Sequence, residues 1–437
     1  MSGRQFLSGL SWLVVLNLLI KPVWVFGIDR NVQNSVGHAA YGTYFSILNL
    51  AIILAIVADA GLTNMLNRQL ALREQVPLAR LLQLKAGLTV VYLALLCFLC
   101  WLTHVRRWDL VFLIAGLQVL SSFLVFFRNV ITGYQQFRAD AWLSVADKLL
   151  TILVCAPLLY LPLARGISLQ QFLWIQSAAT ALALALAIVI AGRHHERPVK
   201  AVSLTGLFRL SAPFVLLILL MGVHTRLDAF LLERMHPRGA LEAGIYAAAY
   251  RLLDAGNTVG YMTASFLVPF AARHLADKPL INRTVLRLRH ALLAAAVGFT
   301  VLCAAFAPQV MQRLYSLSGP YPARVLVLCV AVLPAYYGIH LYGSLLTASG
   351  RLAYFSRTML GCVLLNTVLN IILIPRLGAA GCCIAALASQ YACAAACFMG
   401  ARTPFDLRLR PLSLLAIAAG GLLLCLAART LVHAALP

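Results

Sequence analysis

Long apolar segments alternate with short polar ones along the whole chain. Thirteen segments have about 20 mostly apolar residues, the length that an α-helix needs to cross the hydrocarbon core of a bilayer. They are 6–29, 41–63, 81–103, 109–131, 141–163, 170–192, 207–233, 243–273, 288–314, 321–347, 353–375, 378–400 and 411–433. The connections between them are too short for a separate soluble domain. The pattern therefore predicts an all-α, polytopic membrane protein.

The composition excludes the main soluble classes. The 437 residues are 62% hydrophobic and only 11% charged, whereas a soluble globular domain carries about 25% charged residues. Disordered chains, coiled coils and disulfide-rich secreted scaffolds do not fit these figures. All 11 cysteines lie in the apolar segments, where we interpret them as small buried side chains. No metal-binding spacing of His and Cys occurs, so we expect neither a metal nor a cofactor.

The basic residues predict the orientation. With a cytoplasmic N-terminus, 21 of the 35 Lys and Arg residues fall on the inner side, 10 fall on the outer side and 4 lie within spans. Lys85 is counted in the inner group. Because Lys and Arg resist translocation in short loops, this bias favours a cytoplasmic N-terminus. The net charge of +22 is then explained by topology, and no nucleic acid is expected as a partner. The basic amphipathic stretch 273–290 is expected to lie on the anionic inner leaflet, as an anchor or a site for a lipid head group.

The two halves of the chain show a weak internal repeat. Leu7-Ser8, Asp29-Arg30 and Gly42-Thr43-Tyr44 recur as Leu210-Ser211, Glu233-Arg234 and Gly244-Ile245-Tyr246, at offsets of 203, 204 and 202 residues. Six spans per repeat is an even number, so both halves would enter the membrane in the same orientation. Parallel repeats of this kind bind substrate at their interface. We predict six-helix bundles over 1–200 and 201–400, and an accessory C-terminal transmembrane helix in 401–437.

Several polar residues lie inside the predicted spans. A charge at the centre of a span costs about 2.5–3.5 kcal/mol, so such a residue usually faces a bundle interior or a hydrated cavity. The residues expected to line a substrate cavity are Lys21, Asn49, Arg226, Tyr250, Arg251, Asp254, Asn257 and Tyr261. Four of them form one helical stripe, namely Tyr250, Asp254, Asn257 and Tyr261. The alternative is that an Arg251–Asp254 pair simply joins helices.

Four acidic residues are candidates for proton or ion coupling, namely Asp254, Asp228, Asp59 and Asp147. Burial raises the pKa of a carboxyl group, so protonation of Asp254 would release Arg251. Asp59 could also be an ordinary helix-end residue. Asp147 and its neighbour Lys148 are expected to neutralise different groups.

The seventh span presents two polar faces. His224 and Asp228 are four residues apart and share one face, whereas Arg226 points roughly the other way. Only one of these faces can look directly into a cavity. In the first span, Pro22 is expected to bend the helix.

Three stretches carry a family resemblance. They are Ala58-Asp59-Ala60-Gly61-Leu62 with Asn67-Arg68-Gln69-Leu70-Ala71, then 244–252 with 266–270, and Asn366-Thr367-Val368-Leu369-Asn370 with 374–381. In their order the chain resembles the polysaccharide transporter family of the multidrug/oligosaccharidyl-lipid/polysaccharide (MOP) exporter superfamily. The resemblance covers roughly residues 5–400.

The resemblance implies both an architecture and a substrate. It implies two six-helix bundles enclosing a MATE-like, V-shaped cavity that opens alternately to either side of the bacterial inner membrane. The implied substrate is an undecaprenyl-diphosphate-linked oligosaccharide for lipopolysaccharide or O-antigen synthesis, with polysaccharide polymerase machinery as a further partner.

Other functions remain open from the sequence. A cation-coupled multidrug exporter or a lipid II flippase would share this architecture. A membrane-bound polymerase or ligase would be expected to carry a large extracytoplasmic loop and a catalytic constellation, and neither is visible. A purely structural scaffold would not explain several ionisable groups at one depth. The sequence does not indicate which glycan or which driving ion is used.

Overall fold

The computed structural model describes residue 12 and the ranges 15–63, 66, 78–134, 136–160, 166–193 and 204–407. Within these residues the chain consists of helices joined by short turns, with no β-strand. The all-α prediction is confirmed. The predicted thirteenth span, 411–433, lies outside the described residues.

Internal contacts divide the chain into residues 1–219 and 220–437. The helices that begin in the first unit are α1 (residues 15–36, containing the π-helical segment Val23–Asp29), α2 (His38–Asp59), α3 (Leu78–Leu102), α4 (Trp108–Gly133), α5 (Phe137–Tyr160), α6 (Leu169–Gly192) and α7 (Leu204–Met235). Because α7 is continuous, the division falls inside it, later than the predicted boundary at 200/201.

The second unit contains the end of α7 and seven further helices. These are α8 (Gly239–Arg273), α9 (Lys278–Ala305), α10 (Ala307–Tyr315), α11 (Pro320–Val330), α12 (Leu333–Ala348), α13 (Leu352–Leu377) and α14 (Ala379–Phe405). Together α11 and α12 occupy the predicted tenth span, with a short turn between them at residues 331–332.

Small residues allow close helix packing in the first unit. Ala183, Ala187 and Ala191 recur every four residues on α6 and join a buried cluster with Phe126 and Ile131 of α4. Alanines on one face let two helices approach closely, which favours packing where lipid supplies no hydrophobic driving force. The α4–α6 contact is therefore encoded by side-chain size as much as by hydrophobicity.

Ten helical segments of the described chain are long and apolar enough to cross a membrane. Three strongly exposed aromatic residues, Trp101, Phe112 and Trp174, lie at the end of α3 and near the starts of α4 and α6. Those helix ends lie on one side of the unit, as expected for an aromatic belt at one membrane interface. The protein is a multi-pass membrane protein. The 35-residue α8 is not among these ten segments, and its first half is almost entirely buried by protein.

The stretch 273–290 differs from its prediction. Residues from Lys278 onward belong to α9, which continues without interruption to Ala305. Arg289 is only 5% exposed, whereas Arg283 and Arg287 are exposed, so the stretch is the amphipathic first part of a helix that continues into a span, and its contact with the inner leaflet stays a prediction. The predicted ninth span, 288–314, began too late because mean hydropathy counts the arginines but not the face they occupy. A new helix, α10, starts after Phe306 with Pro308 in its first turn.

Candidate functional site

Helix α8 carries the predicted polar stripe alongside Arg226 of α7. The Tyr250 hydroxyl donates a hydrogen bond to the Thr225 carbonyl oxygen at 3.1 Å, which fixes the two helices together. Arg226, Arg251 and Asp254 are half-buried. Asp254 and Tyr250 lie within electrostatic range of the Arg226 guanidinium. The structure thus brings both arginines and one carboxylate to the same part of the second unit.

The stripe continues to an exposed aromatic ring. The Asn257 amide oxygen lies 3.0 Å from His340 Nε2 of α12. The His340 ring is 4.6 Å from that of Tyr261, and Tyr261 is 50% exposed, whereas Tyr250 is 5% exposed. Gly260 allows this approach, because a Cβ there would lie 2.6 Å from His340 Cδ2.

Sequence reasoning did not identify His340 or Tyr337 as neighbours of this stripe. The Tyr337 hydroxyl donates to the Gly256 carbonyl oxygen at 2.6 Å. Both residues lie in a strongly apolar segment of α12, and a polar histidine in such a segment was the only signal available.

The opposite face of α7 belongs to a separate buried network. His224 Nε2 lies 3.0 Å from Ser389 Oγ of α14, and the Asn370 amide of α13 donates to Asp228 Oδ1 at 2.7 Å. Asn366 links the two, since it donates to Ser389 and accepts from Asn370. All five side chains are at most 2% exposed. The expectation that Asp228 and Arg226 point in different directions is confirmed.

The Asp228 carboxylate is surrounded by neutral polar groups. Besides Asn370, the side chains of Asn366 and Tyr246 lie within hydrogen-bonding reach of it. The amide oxygen of Asn370 is buried and has no hydrogen-bond partner in the described chain. No group of three or more His, Cys, Asp or Glu side chains in that part of the chain is arranged to hold a metal ion.

The candidate residues of the first unit occupy different environments. Lys21 is exposed, two residues before the π-helical segment of α1. The Gly27 carbonyl oxygen of that segment accepts a hydrogen bond from the Tyr160 hydroxyl at 2.7 Å. Pro22 is the residue that precedes this distortion, and the bend itself stays a prediction. Asn49 is 1% exposed, and its amide donates to the Phe45 carbonyl oxygen of its own helix at 2.7 Å.

Asp147 and Lys148 form an ion pair with each other. The expectation that they neutralise different neighbours is therefore wrong. The Lys148 ammonium also lies 5.6 Å from the centre of the Trp24 ring on α1. The lysine therefore makes both an ion pair with the adjacent residue and a cation–π contact with a neighbouring helix.

Asp59 pairs with a residue that the sequence analysis used only in the count of inner basic residues. Lys85 Nζ lies 3.3 Å from Asp59 Oδ1, and the lysine side chain is completely buried. Lys85 belongs to the second turn of α3, within the predicted span 81–103, and its place among the inner basic residues stays a prediction. Asp59 is the last residue of α2, as expected for a helix end, but it is part of a buried ion pair.

Solved structures with the same fold are membrane transporters. The fold matches the lipid II flippase MurJ in an inward closed conformation with a TM-score of 0.73 at 11% identity, covering 95% of this chain and 92% of that one. An inward-facing multidrug resistance MATE family transporter of the MOP superfamily matches with a TM-score of 0.64 at 15% identity, covering 90% and 94%. A MOP superfamily transporter from Pyrococcus furiosus, whose binding pocket is described as reversed in polarity, matches with a TM-score of 0.60 at 14% identity, covering 91% and 93%. The protein has the fold of a MOP superfamily transporter.

The sequence then identifies the branch. Residues 6–275 match the family described as polysaccharide biosynthesis protein, which is more than half of the chain. The protein belongs to this family of flippases, and the family implies a lipid-linked glycan in the membrane as substrate. No curated protein matches the sequence.

Proposed function

We propose that the protein is a flippase that moves undecaprenyl-diphosphate-linked oligosaccharide repeat units from the cytoplasmic to the periplasmic leaflet by alternating access. It would act in the bacterial inner membrane, with its N-terminus in the cytoplasm, and deliver substrate to polysaccharide polymerase machinery. The family and the MOP fold support a transporter of this type. The substrate assignment rests on one observation. Arg226 and Arg251 are both half-buried, and their helices, α7 and α8, are joined by a hydrogen bond.

Two guanidinium groups suit a diphosphate. Arginine binds phosphate oxygens through paired N–H donors, and the attraction is strengthened in a partly buried, low-dielectric position. Asp254 lies in electrostatic range of Arg226 and would hold that cation while the site is empty. In the first unit, the exposed Lys21 is proposed as a further cation for the substrate, whereas Asn49, which is 1% exposed and donates to a carbonyl of its own helix, has no surface with which to line a cavity. Tyr261 is 50% exposed and would present its ring to a sugar, whereas Tyr250 is buried and holds helices together.

A second part of the proposal assigns energy coupling to Asp228. An uncompensated buried carboxylate is costly, so a group such as Asp228 is neutralised either by a proton or by a cation. The oxygen atoms of Asp228 and Asn370, with Ser389 nearby, are the ligand type that hard cations such as Na⁺ prefer. Asp254, beside the arginines, is the alternative coupling residue. The ion pairs of Asp59 and Asp147 with lysines make these two less suited to bind a free cation.

The substrate assignment is tested by flipping of a fluorescent undecaprenyl-diphosphate-linked oligosaccharide in proteoliposomes. Arg226→Ala and Arg251→Ala are expected to reduce the rate by at least about tenfold each, the effect of losing one charge-assisted contact of about 1.5–3 kcal/mol. Arg324→Ala, at an exposed position in α11, is the control and should flip at the wild-type rate. Wild-type flipping by both cavity variants would refute the assignment.

Coupling is tested in the same vesicles with imposed proton and sodium gradients. Asp228→Asn should equilibrate substrate but no longer respond to whichever gradient accelerates the wild type. Asp109→Asn, at an exposed ion pair, is the control. A normal gradient response in Asp228→Asn with a lost response in Asp254→Asn would move the coupling role to Asp254.

Lipid II is the second candidate substrate, because the fold match with MurJ extends over nearly the whole chain. The same proteoliposomes separate the two candidates when lipid II and a lipid-linked repeat unit compete for flipping. Preferred flipping of lipid II would replace the proposed substrate and leave the roles of the arginines unchanged.

A further inference from the structure

Helix α2 is interrupted inside the first unit, above a cavity. The helix ends at Asp59, and Ala60 and Gly61 have φ angles of 41° and 76° before helical structure resumes at Leu62. A non-glycine residue in the left-handed region is uncommon and costs energy, so it usually marks a site where the surroundings require it. Asp59 and Gly61 line a cavity of about 310 Å³.

The polar end of this cavity is built on the buried ion pair. The Lys85 ammonium donates to Ser122 Oγ at 2.8 Å and to Asp59 Oδ1 at 3.3 Å, and it lies 5.6 Å from the ring centres of Phe123 and Phe126. Lys85 therefore has no exposed surface and cannot itself contact a ligand.

Asp59 and Ser122 remain open to the cavity. Asp59 is 29% exposed, and within the described part of the chain it accepts from Lys85 and Thr63, both at Oδ1. Among those residues, Oδ2 is the oxygen that remains to accept from a ligand. Because Ser122 accepts from Lys85, its own proton is available as a donor. Gln118 and Ser121 line the cavity beside them and add further donors and acceptors.

The charges select the chemistry of the occupant. Lys85 compensates Asp59, so the polar end is neutral overall. A cation would be repelled by the ammonium behind the carboxylate, and an anion would be repelled by the carboxylate itself. The remaining walls are apolar and include Ile52, Ile56 and Val125. A neutral group that carries several hydroxyls and a C–H surface satisfies both regions, and a sugar ring is such a group. The volume lies at the lower end of the roughly 300–1,000 Å³ of small-molecule sites, which is enough for one or two rings.

We propose that the cavity formed by Asp59, Gln118, Ser121 and Ser122 is a binding site for an uncharged sugar residue of the transported glycan, with the Asp59–Lys85 pair setting the preference for neutral sugars. That the sugar arrives on a lipid carrier rests on the proposed function. The diphosphate would be bound by other residues, so the sugar site can be examined with ligands that contain no phosphate.

The experiment uses the full-length protein in nanodiscs and three probes with the same alkyl chain: hexyl β-D-glucoside, hexyl β-D-glucuronide and hexyl β-D-glucosaminide. Their head groups are neutral, anionic and cationic. Binding is measured by saturation-transfer NMR or microscale thermophoresis for the wild type, Lys85→Met, Asp59→Asn, the double variant of these two, and Ser121→Ala. Thr132→Ala, on α4 but away from the cavity, is the matched control for Ser121→Ala. Thermal melting checks that each variant is folded.

The wild type is expected to prefer the glucoside over both charged probes by about tenfold. Lys85→Met should shift the preference to the cationic glucosaminide, Asp59→Asn should shift it to the anionic glucuronide, and the double variant should restore the preference for the glucoside. Ser121→Ala should weaken glucoside binding about three- to tenfold, the effect of one lost hydrogen bond, and Thr132→Ala should not. If Asp59→Asn does not fold, Lys85→Met and the double variant still decide the outcome.

An unchanged order of the three probes in folded Lys85→Met, or no glucoside binding by the wild type, would overturn the proposal. An equal loss of glucoside binding in Thr132→Ala and Ser121→Ala would also count against the proposal. Normal probe selectivity together with no flipping of the lipid-linked oligosaccharide would instead refute the proposed function and leave the sugar site standing.

Discussion

Replacement of Asp59 by asparagine is expected to destabilise the protein more than replacement of its partner Lys85 by methionine. Asp59→Asn leaves an ammonium that is completely buried, and an uncompensated buried charge of this kind costs about 3–5 kcal/mol. Lys85→Met leaves a carboxylate that is 29% exposed, so water in the cavity solvates it and the loss should be only about 1–3 kcal/mol.

The double variant of Asp59→Asn and Lys85→Met isolates the interaction energy between the two residues. With both charges removed and methionine filling the volume of the lysine stem, the loss should be about 1 kcal/mol or less, because neutral replacements of buried ion pairs are often tolerated. The double-mutant cycle should therefore give a coupling energy of at least about 3 kcal/mol. The measurement is reversible unfolding in mixed detergent and SDS micelles, followed by far-UV circular dichroism.

A second cycle on an exposed pair provides the control. Arg107 and Asp109 are 51% and 36% exposed, and pairs of this kind contribute about 0–1 kcal/mol. Equal losses for Asp59→Asn and Lys85→Met, or a double variant as unstable as Asp59→Asn alone, would show that burial does not control the energetics of this pair.

Two further changes test packing in the second unit. Glu242 is 3% exposed and accepts hydrogen bonds from the Tyr321 hydroxyl and, at 2.8 Å, from the Ala379 N–H at the start of α14. Glu242→Ala should lower the unfolding free energy by about 2–4 kcal/mol, because two buried donors lose their acceptor. Glu242→Gln should lower it less, and equal values for the two variants would contradict this role. In Gly260→Ala the new Cβ would lie 2.6 Å from His340 and 2.9 Å from Tyr337, which should cost about 1–3 kcal/mol in the same unfolding assay. Gly361→Ala, with nothing within 4 Å of its added Cβ, should instead be neutral or stabilising by up to about 1 kcal/mol; similar effects at both glycines would show that the close approach is not what requires Gly260.

The helices were largely predictable from the sequence, because a spanning segment must be apolar over a fixed length whatever it packs against. The predicted segments 41–63, 109–131 and 170–192 correspond to His38–Asp59, Trp108–Gly133 and Leu169–Gly192. The start of α9 was predicted too late for the same physical reason. Its first turns are basic, and average hydropathy does not show that Arg289 lies on a face buried by protein.

Within one helix, residue spacing also predicted which side chains share a face. Tyr250, Asp254, Asn257 and Tyr261 lie on one face because the α-helix repeats every 3.6 residues. Spacing likewise separated Asp228 from Arg226, and the structure places them in different surroundings.

The amino-acid sequence alone determined the membrane class, the helical segments and the faces of individual helices, since these depend on local periodicity and on the length of apolar runs. The tertiary structure decided which side chains meet across helices. Asp228 meets Asn370 from 142 residues away, Asn257 meets His340 from 83 residues away, and Asp59 meets Lys85 across a break in α2. Such pairs depend on helix packing and on the desolvation of both partners, neither of which is recorded in the spacing of residues along one chain segment.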